Sequence, residues 1–174
     1  MTIILGIDPG SRVTGYGLIR QIGQKIEYID SGCIRTSADG ELCQKLVQIY
    51  DGICQLMDHY SPMEVAIEQV FLHQNPNSAL KLGHARGVAM VAAASYRVKV
   101  SEYSAREIKQ TVVGYGAAQK VQVSHMVVNL LSLNNAPQSD AADALAIAIC
   151  HSHMRHNISA VLGKRGIRIR KRKR

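Results

Sequence analysis

The sequence predicts an α/β domain in which helices flank a five-stranded mixed sheet. An apolar run over Thr2–Asp8 is typical of a short buried strand. Two further strand patterns cover residues 14–21 and 25–36, with only the three-residue turn 22–24 between them. A connection this short favours antiparallel pairing, so we expect the first three strands to form a meander.

A helical pattern follows the meander. Its apolar positions recur at alternating spacings of four and three, which places them on one face of a helix: Leu42, Leu46, Ile49, Ile53 and Leu56. Pro62 then restarts the chain into a strand over residues 64–70. Because a helical crossover joins parallel strands, we expect this fourth strand to lie beside the first and parallel to it.

The rest of the chain alternates between helices and one more strand. Asn75 and Pro76 are typical of a helix start, as N-cap and first helical residue, and the helix should extend to about Tyr96. A strand over 98–103 and helices over 105–113, 119–131 and 140–153 complete the prediction. The length of 174 residues fits one domain with a substantial core, which we place at 1–156.

Positive charge is concentrated after this domain. The net charge is +8, and eight of the 21 Lys and Arg residues lie in residues 164–174, which contain no acid. The rest of the chain balances 13 basic with 13 acidic side chains. We therefore predict that residues 157–174 form a basic, disordered C-terminal tail that attracts polyanions.

Other features argue against membrane and disulfide-bonded classes of protein. No apolar run approaches the roughly 20 residues that span a bilayer, and no signal-peptide pattern opens the sequence. The four cysteines have no C-x-x-C spacing, so we expect reduced, buried or half-buried thiols. A cytoplasmic location follows as the expectation.

Acidic residues mark the candidate functional site. Asp8 and Glu68 each end an apolar strand pattern, and Asp140 and Asp143 open the last predicted helix. Taken alone, Asp8 could be an ordinary turn residue, and Asp140 or Asp143 an ordinary acid in the first turn of a helix. Glu68 is different, because a central strand has no structural use for a charge. A buried carboxylate is costly without a positive partner, and hard divalent cations bind oxygen ligands. The four together predict a Mg²⁺ or Mn²⁺ site for phosphate chemistry.

Several segments, in order over about residues 1–155, closely resemble the bacterial crossover junction endodeoxyribonucleases of the RuvC family. They are Gly-Ile-Asp-Pro-Gly-Ser-Arg-Val-Thr-Gly-Tyr-Gly (6–17), Ala-Ile-Glu-Gln-Val-Phe (66–71), Ser-Ala-Leu-Lys-Leu-Gly-His-Ala-Arg-Gly (78–87), Lys-Gln-Thr-Val-Val-Gly (109–114) and Asp-Ala-Ala-Asp-Ala-Leu-Ala-Ile-Ala (140–148). The resemblance implies a ribonuclease H-like fold. It also implies a homodimer that resolves Holliday junctions in DNA recombination and repair by paired, symmetric nicks, with RuvA and RuvB as a branch-migration partner complex.

The same resemblance implies roles for individual residues. Asp8, Glu68, Asp140 and Asp143 would form a site for two Mg²⁺, for which Mn²⁺ can substitute, and the nicked ends would carry 5′ phosphate and 3′ hydroxyl groups. Lys109 and Lys120 would be active-site lysines, and Phe71 would be a stacking wedge at the opened junction. The candidate phosphate contacts are Arg12, Lys81 and Arg86. The stems of the last three could instead cover apolar surface.

Three rival functions share parts of this pattern. Gly-Ile-Asp-Pro-Gly-Ser also resembles a phosphate loop of actin-like and sugar-kinase ATPases, but a duplicated fold of that kind needs roughly twice this length. A ribonuclease H acting on RNA–DNA hybrids would use the same carboxylates, and a non-catalytic junction-binding module would not need them. His151, His153 and His156 are interpreted as a solvated helix end rather than a metal site.

Overall fold

The computed structural model describes residues 1–69 and 76–164, the last nine of them as backbone only. The elements in chain order are β1 (Thr2–Asp8), β2 (Val13–Ile22), β3 (Lys25–Arg35), α1 (Leu42–Tyr60), β4 (Glu64–Glu68), α2 (Pro76–Ser95), β5 (Lys99–Tyr103), α3 (Ala105–Val113), α4 (Lys120–Leu130) and α5 (Ser139–Lys164). No helix in the described ranges is both long and apolar enough to cross a membrane.

The five strands form one mixed sheet in the order β3-β2-β1-β4-β5. β1, β2 and β3 pair antiparallel as a meander, and β4 pairs parallel with both β1 and β5. The predicted fold class and the predicted placement of β4 beside β1 are therefore confirmed. β1 lies at the centre of the sheet, so its last residue, Asp8, ends the central strand.

Helices cover both faces of the sheet, and the alternation of side chains along β1 assigns each residue to a layer. Leu5 and Ile7 pack with α1 and α2, whereas Ile4 packs with α3, α4 and α5. In β4, Ala66 faces the α5 layer. Because alternate residues share a face, Asp8 and Glu68 also face α5.

Two glycines allow α5 to lie directly on the sheet. A Cβ atom on Gly6 would overlap the carbonyl oxygen of Ala144, and one on Gly15 would overlap the carbonyl oxygen of Asp140. Gly15 is the β2 partner of Asp8 in the sheet register. The backbone of α5 therefore touches the backbone of β1 and β2, and this contact sets the distance between Asp140 and Asp8.

A buried polar cluster holds the middle of α5. His151 is 3% exposed, and its Nε2 lies 2.6 Å from Glu64 Oε2 while its Nδ1 lies 2.7 Å from the Tyr103 hydroxyl. Arg155 Nε lies 2.9 Å from the second oxygen of Glu64. Burial lowers the pKa of His151, against the opposing effect of Glu64. The interpretation of His151 as solvated is wrong, because the start of β4 supplies a carboxylate under the helix.

Two element ends differ from the expectations by two residues or more. β4 ends at Glu68 rather than at residue 70, although the Gln69 amide still donates to the Tyr103 carbonyl oxygen at 2.8 Å. α5 extends to Lys164, well past the expected end at residue 153, because residues 154–162 contain no helix breaker. The first residues of the expected tail are therefore helical, and residues 165–174 lie outside the described ranges, as does Asn75.

Candidate active site

The structure brings the four predicted acids to one place, at the carboxyl ends of β1 and β4. The carboxylate oxygens of Asp8, Asp140 and Asp143 lie within 4.8 Å of one another. Glu68 lies close enough to this cluster for its charge to raise the pKa of Asp8. Oxygen-only clusters with this spacing match the ligand preference of Mg²⁺ and Mn²⁺.

Sheet register and helix packing explain the convergence. β1 and β4 are parallel neighbours with Ile7 opposite Ile67, so their next residues, Asp8 and Glu68, end side by side. α5 begins at Ser139, so its first turn presents Asp140 and, one turn on, Asp143 to the same edge. The carboxyl ends of parallel strands lie at the same edge of a sheet, and ligand-binding sites of α/β folds commonly lie at this edge.

A threonine that the sequence analysis did not identify orders the turn after Asp8. The Thr14 hydroxyl donates to the Gly10 carbonyl oxygen at 2.9 Å and accepts from the Gly10 amide at 3.3 Å. Thr14 is fully buried. The signal in the sequence is a turn residue followed four positions later by a hydroxyl side chain, a spacing that suits such local bonds.

Mutual repulsion and burial perturb the acids. Burial and the charges of Glu68, Asp143 and Asp140 raise the pKa of Asp8 to about 8. Burial and Asp143 raise the pKa of Glu68, and burial raises that of Asp143 although Lys120 opposes the shift. The cluster therefore concentrates more negative charge than its surroundings neutralise, which is the electrostatic condition for binding a cation.

Two lysines lie against this cluster. Lys120 Nζ is 2.5 Å from Asp143 Oδ2. Burial disfavours the charge on Lys120, but the hydrogen bond to Asp143 and the charges of Asp143, Asp8 and Asp140 together outweigh it and raise the lysine pKa. Lys109 lowers the pKa of both Glu68 and Asp143. Both lysines line a cavity of about 220 Å³ with these two acids, which we call the catalytic cavity.

The remaining candidates are placed differently. Arg86 is occupied within the chain: its Nε donates to the Glu68 carbonyl oxygen at 3.0 Å, and its guanidinium pairs with Glu102 on β5. Arg12 and Lys81 are exposed; Arg12 ends the turn between β1 and β2, and Lys81 lies in the second turn of α2. Phe71 lies outside the described residues. A contact between DNA and any of these four stays a prediction.

A larger groove, of about 980 Å³, lies between β3 and α1 and also contains carboxylates. Asp30 in this groove accepts hydrogen bonds from the Tyr60 and Tyr16 hydroxyls at 2.7 and 3.2 Å. This carboxylate is thus used to join β3 to α1 and β2. The convergent acids at the edge of the sheet remain the stronger candidate site.

Comparison with known proteins decides the family. The model of the family described as crossover junction endodeoxyribonuclease RuvC matches residues 4–151. The chain belongs to the RuvC family. RuvC of Legionella pneumophila (strain Lens) is 78% identical over 171 residues, which cover 98% of each chain. RuvC of Tolumonas auensis is 60% identical over 164 residues, or 94% of each chain.

Solved structures agree with this assignment to RuvC. Thermus thermophilus RuvC in complex with a Holliday junction substrate aligns with a TM-score of 0.84 at 31% identity, over 90% of this chain and 97% of that one. The yeast mitochondrial Holliday junction resolvase Ydc2 aligns with a TM-score of 0.68 at 12% identity, which shows the shared fold alone. The expected ribonuclease H-like fold is confirmed, and the RuvC match favours a junction endonuclease over the ATPase and RNA–DNA hybrid alternatives.

Proposed function

We propose that this chain resolves Holliday junctions by paired, symmetric, metal-dependent nicks, and that Asp8, Glu68, Asp140 and Asp143 form its active site. The observation that carries the proposal is the convergence of these four carboxylates beside Lys109 and Lys120. Membership of a family of crossover junction endodeoxyribonucleases supports the substrate. The T. thermophilus structure, which contains a Holliday junction, supports it further.

The donor set fits two Mg²⁺ ions, or Mn²⁺ in their place. All the candidate ligands are carboxylate oxygens, and the raised pKa values of Asp8, Glu68 and Asp143 record a charge excess that divalent cations would relieve. Two such ions, when bound, supply water activation and stabilisation of the leaving 3′ oxygen, which gives 5′-phosphate and 3′-hydroxyl ends. Asp8 would be the acid common to both ions, because the charges of Glu68, Asp143 and Asp140 all act on it.

The chain's own groups orient the reaction. Lys120 and Lys109 both line the catalytic cavity, where they can hold a phosphate oxygen and balance charge that develops during displacement. Lys120 also restrains the carboxylate of Asp143 through their ion pair. The apolar residues of the same cavity, Ile108, Val123 and Ile147, limit the access of water.

A substrate comparison tests the function. The protein is assayed with Mg²⁺ and with EDTA on a four-way DNA junction, a linear duplex of the same arms and an RNA–DNA hybrid. We expect Mg²⁺-dependent cleavage of the junction in two strands related by symmetry, with ends that a ligase can seal. Equal cleavage of linear duplex, or preference for the hybrid, would contradict the proposal.

A homodimer is proposed because paired nicks need two active sites. The face of α2 that points away from the core supports this: Leu80 and Val91 are 61% and 63% exposed, and a Cβ atom on Gly83 or Gly87 would meet no neighbouring atom. Small residues between two apolar ones let a second helix approach closely. We propose that this α2 face contacts a second copy of the chain.

Val91→Glu is expected to convert the dimer to monomer, because it buries a charge in the proposed α2 contact. Light scattering after size exclusion measures the mass, and junction cleavage distinguishes paired from single nicks. The matched control is Val47→Glu, a change at an exposed valine on α1. A dimer that survives Val91→Glu with paired nicking intact would remove α2 from the interface.

Arg86→Gln is expected to weaken divalent-ion binding by about 10- to 100-fold, the usual effect of losing a group that orients a ligand. Arg86 holds the backbone of Glu68 and ties it to Glu102, so we propose that it positions this ligand. Calorimetric titration with Mn²⁺ gives the affinity, and Lys81→Gln on the same helix is the control. If metal affinity is unchanged while junction affinity falls, Arg86 contacts phosphate as the sequence suggested.

Phe71→Ala is expected to slow cleavage of an intact junction far more than cleavage of a junction already unpaired at its centre. The proposal that Phe71 is a wedge depends on the family resemblance and on its place three residues after Glu68. Stacking of a base on an aromatic ring is worth about 1–3 kcal/mol. Single-turnover rates on the two substrates measure the effect, and equal losses would leave Phe71 as a packing residue.

Two further partners are proposed from sequence. The RuvC assignment suggests RuvA and RuvB as a branch-migration complex that delivers the junction.

The eight cations of residues 164–174 suggest an electrostatic contact with DNA that carries no sequence information. Arg12 and Lys81 remain candidate phosphate contacts because both are exposed.

A further inference from the structure

An apolar groove adjoins the catalytic cavity. It has a volume of about 600 Å³ and lies between α4 and the segment that leads into α5, and we call it the α4 groove. Its apolar lining residues are Val121, Val128, Ala136, Pro137 and Ala142. Lys120 and Asp143 line both the α4 groove and the catalytic cavity, so the two spaces share one wall.

We propose that the α4 groove binds the base of a nucleotide next to the scissile phosphate, and that it contributes to the choice of cleavage sequence. The inference depends on the proposed function, because it takes the scissile phosphate to lie against Lys120 and the carboxylates. When the scissile phosphate lies against Lys120 and the carboxylates, the next nucleotide of the same strand must lie over the wall that the catalytic cavity and the α4 groove share. The α4 groove is the apolar space next to that wall.

The chemistry of the α4 groove suits a nucleobase. Val121 is 77% exposed, so apolar surface is available to a ring face without any rearrangement of the core. Asn134 and Asn135 lie in the same lining, and an amide side chain both donates and accepts, as base edges require. Asp143, already paired with Lys120, is the one acid among the described lining residues, so the groove does not repel the backbone.

The size and position of the α4 groove support the same occupant. Its volume falls within the range of about 300–1,000 Å³ that small-molecule and cofactor sites cover. It shares Lys120 and Asp143 with the catalytic cavity, and none of its described lining residues belongs to α2, where we place the second copy. A nucleotide of the bound strand is therefore favoured over a protein segment.

The test crosses two protein variants with altered substrates. The full-length protein and the variants Val121→Ala and Asn135→Ala are assayed with Mg²⁺ under single-turnover conditions. The substrates are an intact junction and junctions with one abasic site, placed on either side of the scissile phosphate. Val47→Ala, at an exposed valine of α1 far from the catalytic cavity, is the matched control. Circular dichroism checks that each variant keeps its fold.

We expect one abasic position to slow the wild-type protein by about tenfold, the factor equivalent to 1.4 kcal/mol. The same abasic site should slow cleavage by the two α4-groove variants much less than it slows the wild type, because these variants already lack the contact with the base. Replacement of the base by each of the other three should change the order of preferred substrates in the variants but not in Val47→Ala. Such non-additive losses show that groove and base interact.

Additive losses, with the same order of preferred bases in every protein, would overturn the inference while leaving the proposed function intact. An absence of abasic effects on both sides of the phosphate would do the same, and would favour a protein segment as the occupant of the α4 groove. If the wild-type protein does not cleave the intact junction at all, the proposed function fails first.

Discussion

Asp8→Asn is expected to reduce strand cleavage by at least about 100-fold. Loss of a residue that only orients a metal ligand already costs about 10–100-fold in metal affinity or activity, and Asp8 is a candidate ligand itself. Junction affinity should stay near that of the wild type. The amide keeps the shape of the side chain but removes the charge at the centre of the four acids. Binding should persist because phosphate contacts elsewhere supply most of the affinity for DNA.

Two measurements on the same protein separate these effects. Gel shift in EDTA reports junction affinity, and a Mg²⁺ time course reports cleavage. Asp51→Asn, which changes an exposed acid on α1, is the matched control and should behave as wild type. If Asp8→Asn retains cleavage, Asp8 has no place in the mechanism.

Metal-free protein is expected to lose stability as pH rises from about 5 to 8, because of the four-acid cluster. The pKa of Asp8 is raised from 3.8 to about 8 in the folded chain, so the folded state binds a proton that the unfolded state releases. The contribution of Asp8 to stability is therefore fully present below about pH 4 and lost as pH rises through about 8. Glu68 and Asp143 shift in the same direction and add to the effect.

Thermal unfolding in EDTA at several pH values measures this effect. Asp8→Asn should melt several degrees higher than wild type near pH 8, since each kcal/mol corresponds to about 2–4 °C in a domain of this size. The two proteins should converge toward pH 5. Mg²⁺ should raise the melting temperature of wild type more than that of Asp8→Asn. A variant that melts lower than wild type at pH 8 would contradict the electrostatic account.

The sheet and the four acids could be predicted from sequence because each depends on local patterns. The apolar runs before Asp8 and Glu68 define strands within a few residues, and a parallel crossover then places the two strand ends together. The role of His151 could not be predicted, because its partner Glu64 lies 87 positions away in the sequence. The bond from Arg86 to the Glu68 backbone was missed for a similar reason, since an arginine on a helix gives no local sign of the carbonyl that it will contact.

Contact between the backbones of α5 and the sheet has a consequence for how such a protein can evolve. Gly6 and Gly15 let main chain rest on main chain, so the separation of Asp8 from Asp140 does not depend on the size of any side chain between them. Substitutions among the apolar residues of either core layer can then alter folding free energy while the spacing of the acids is preserved. Selection for thermal stability and selection for catalysis would then act on different positions. A lineage could change the stability of the protein and keep its nuclease activity.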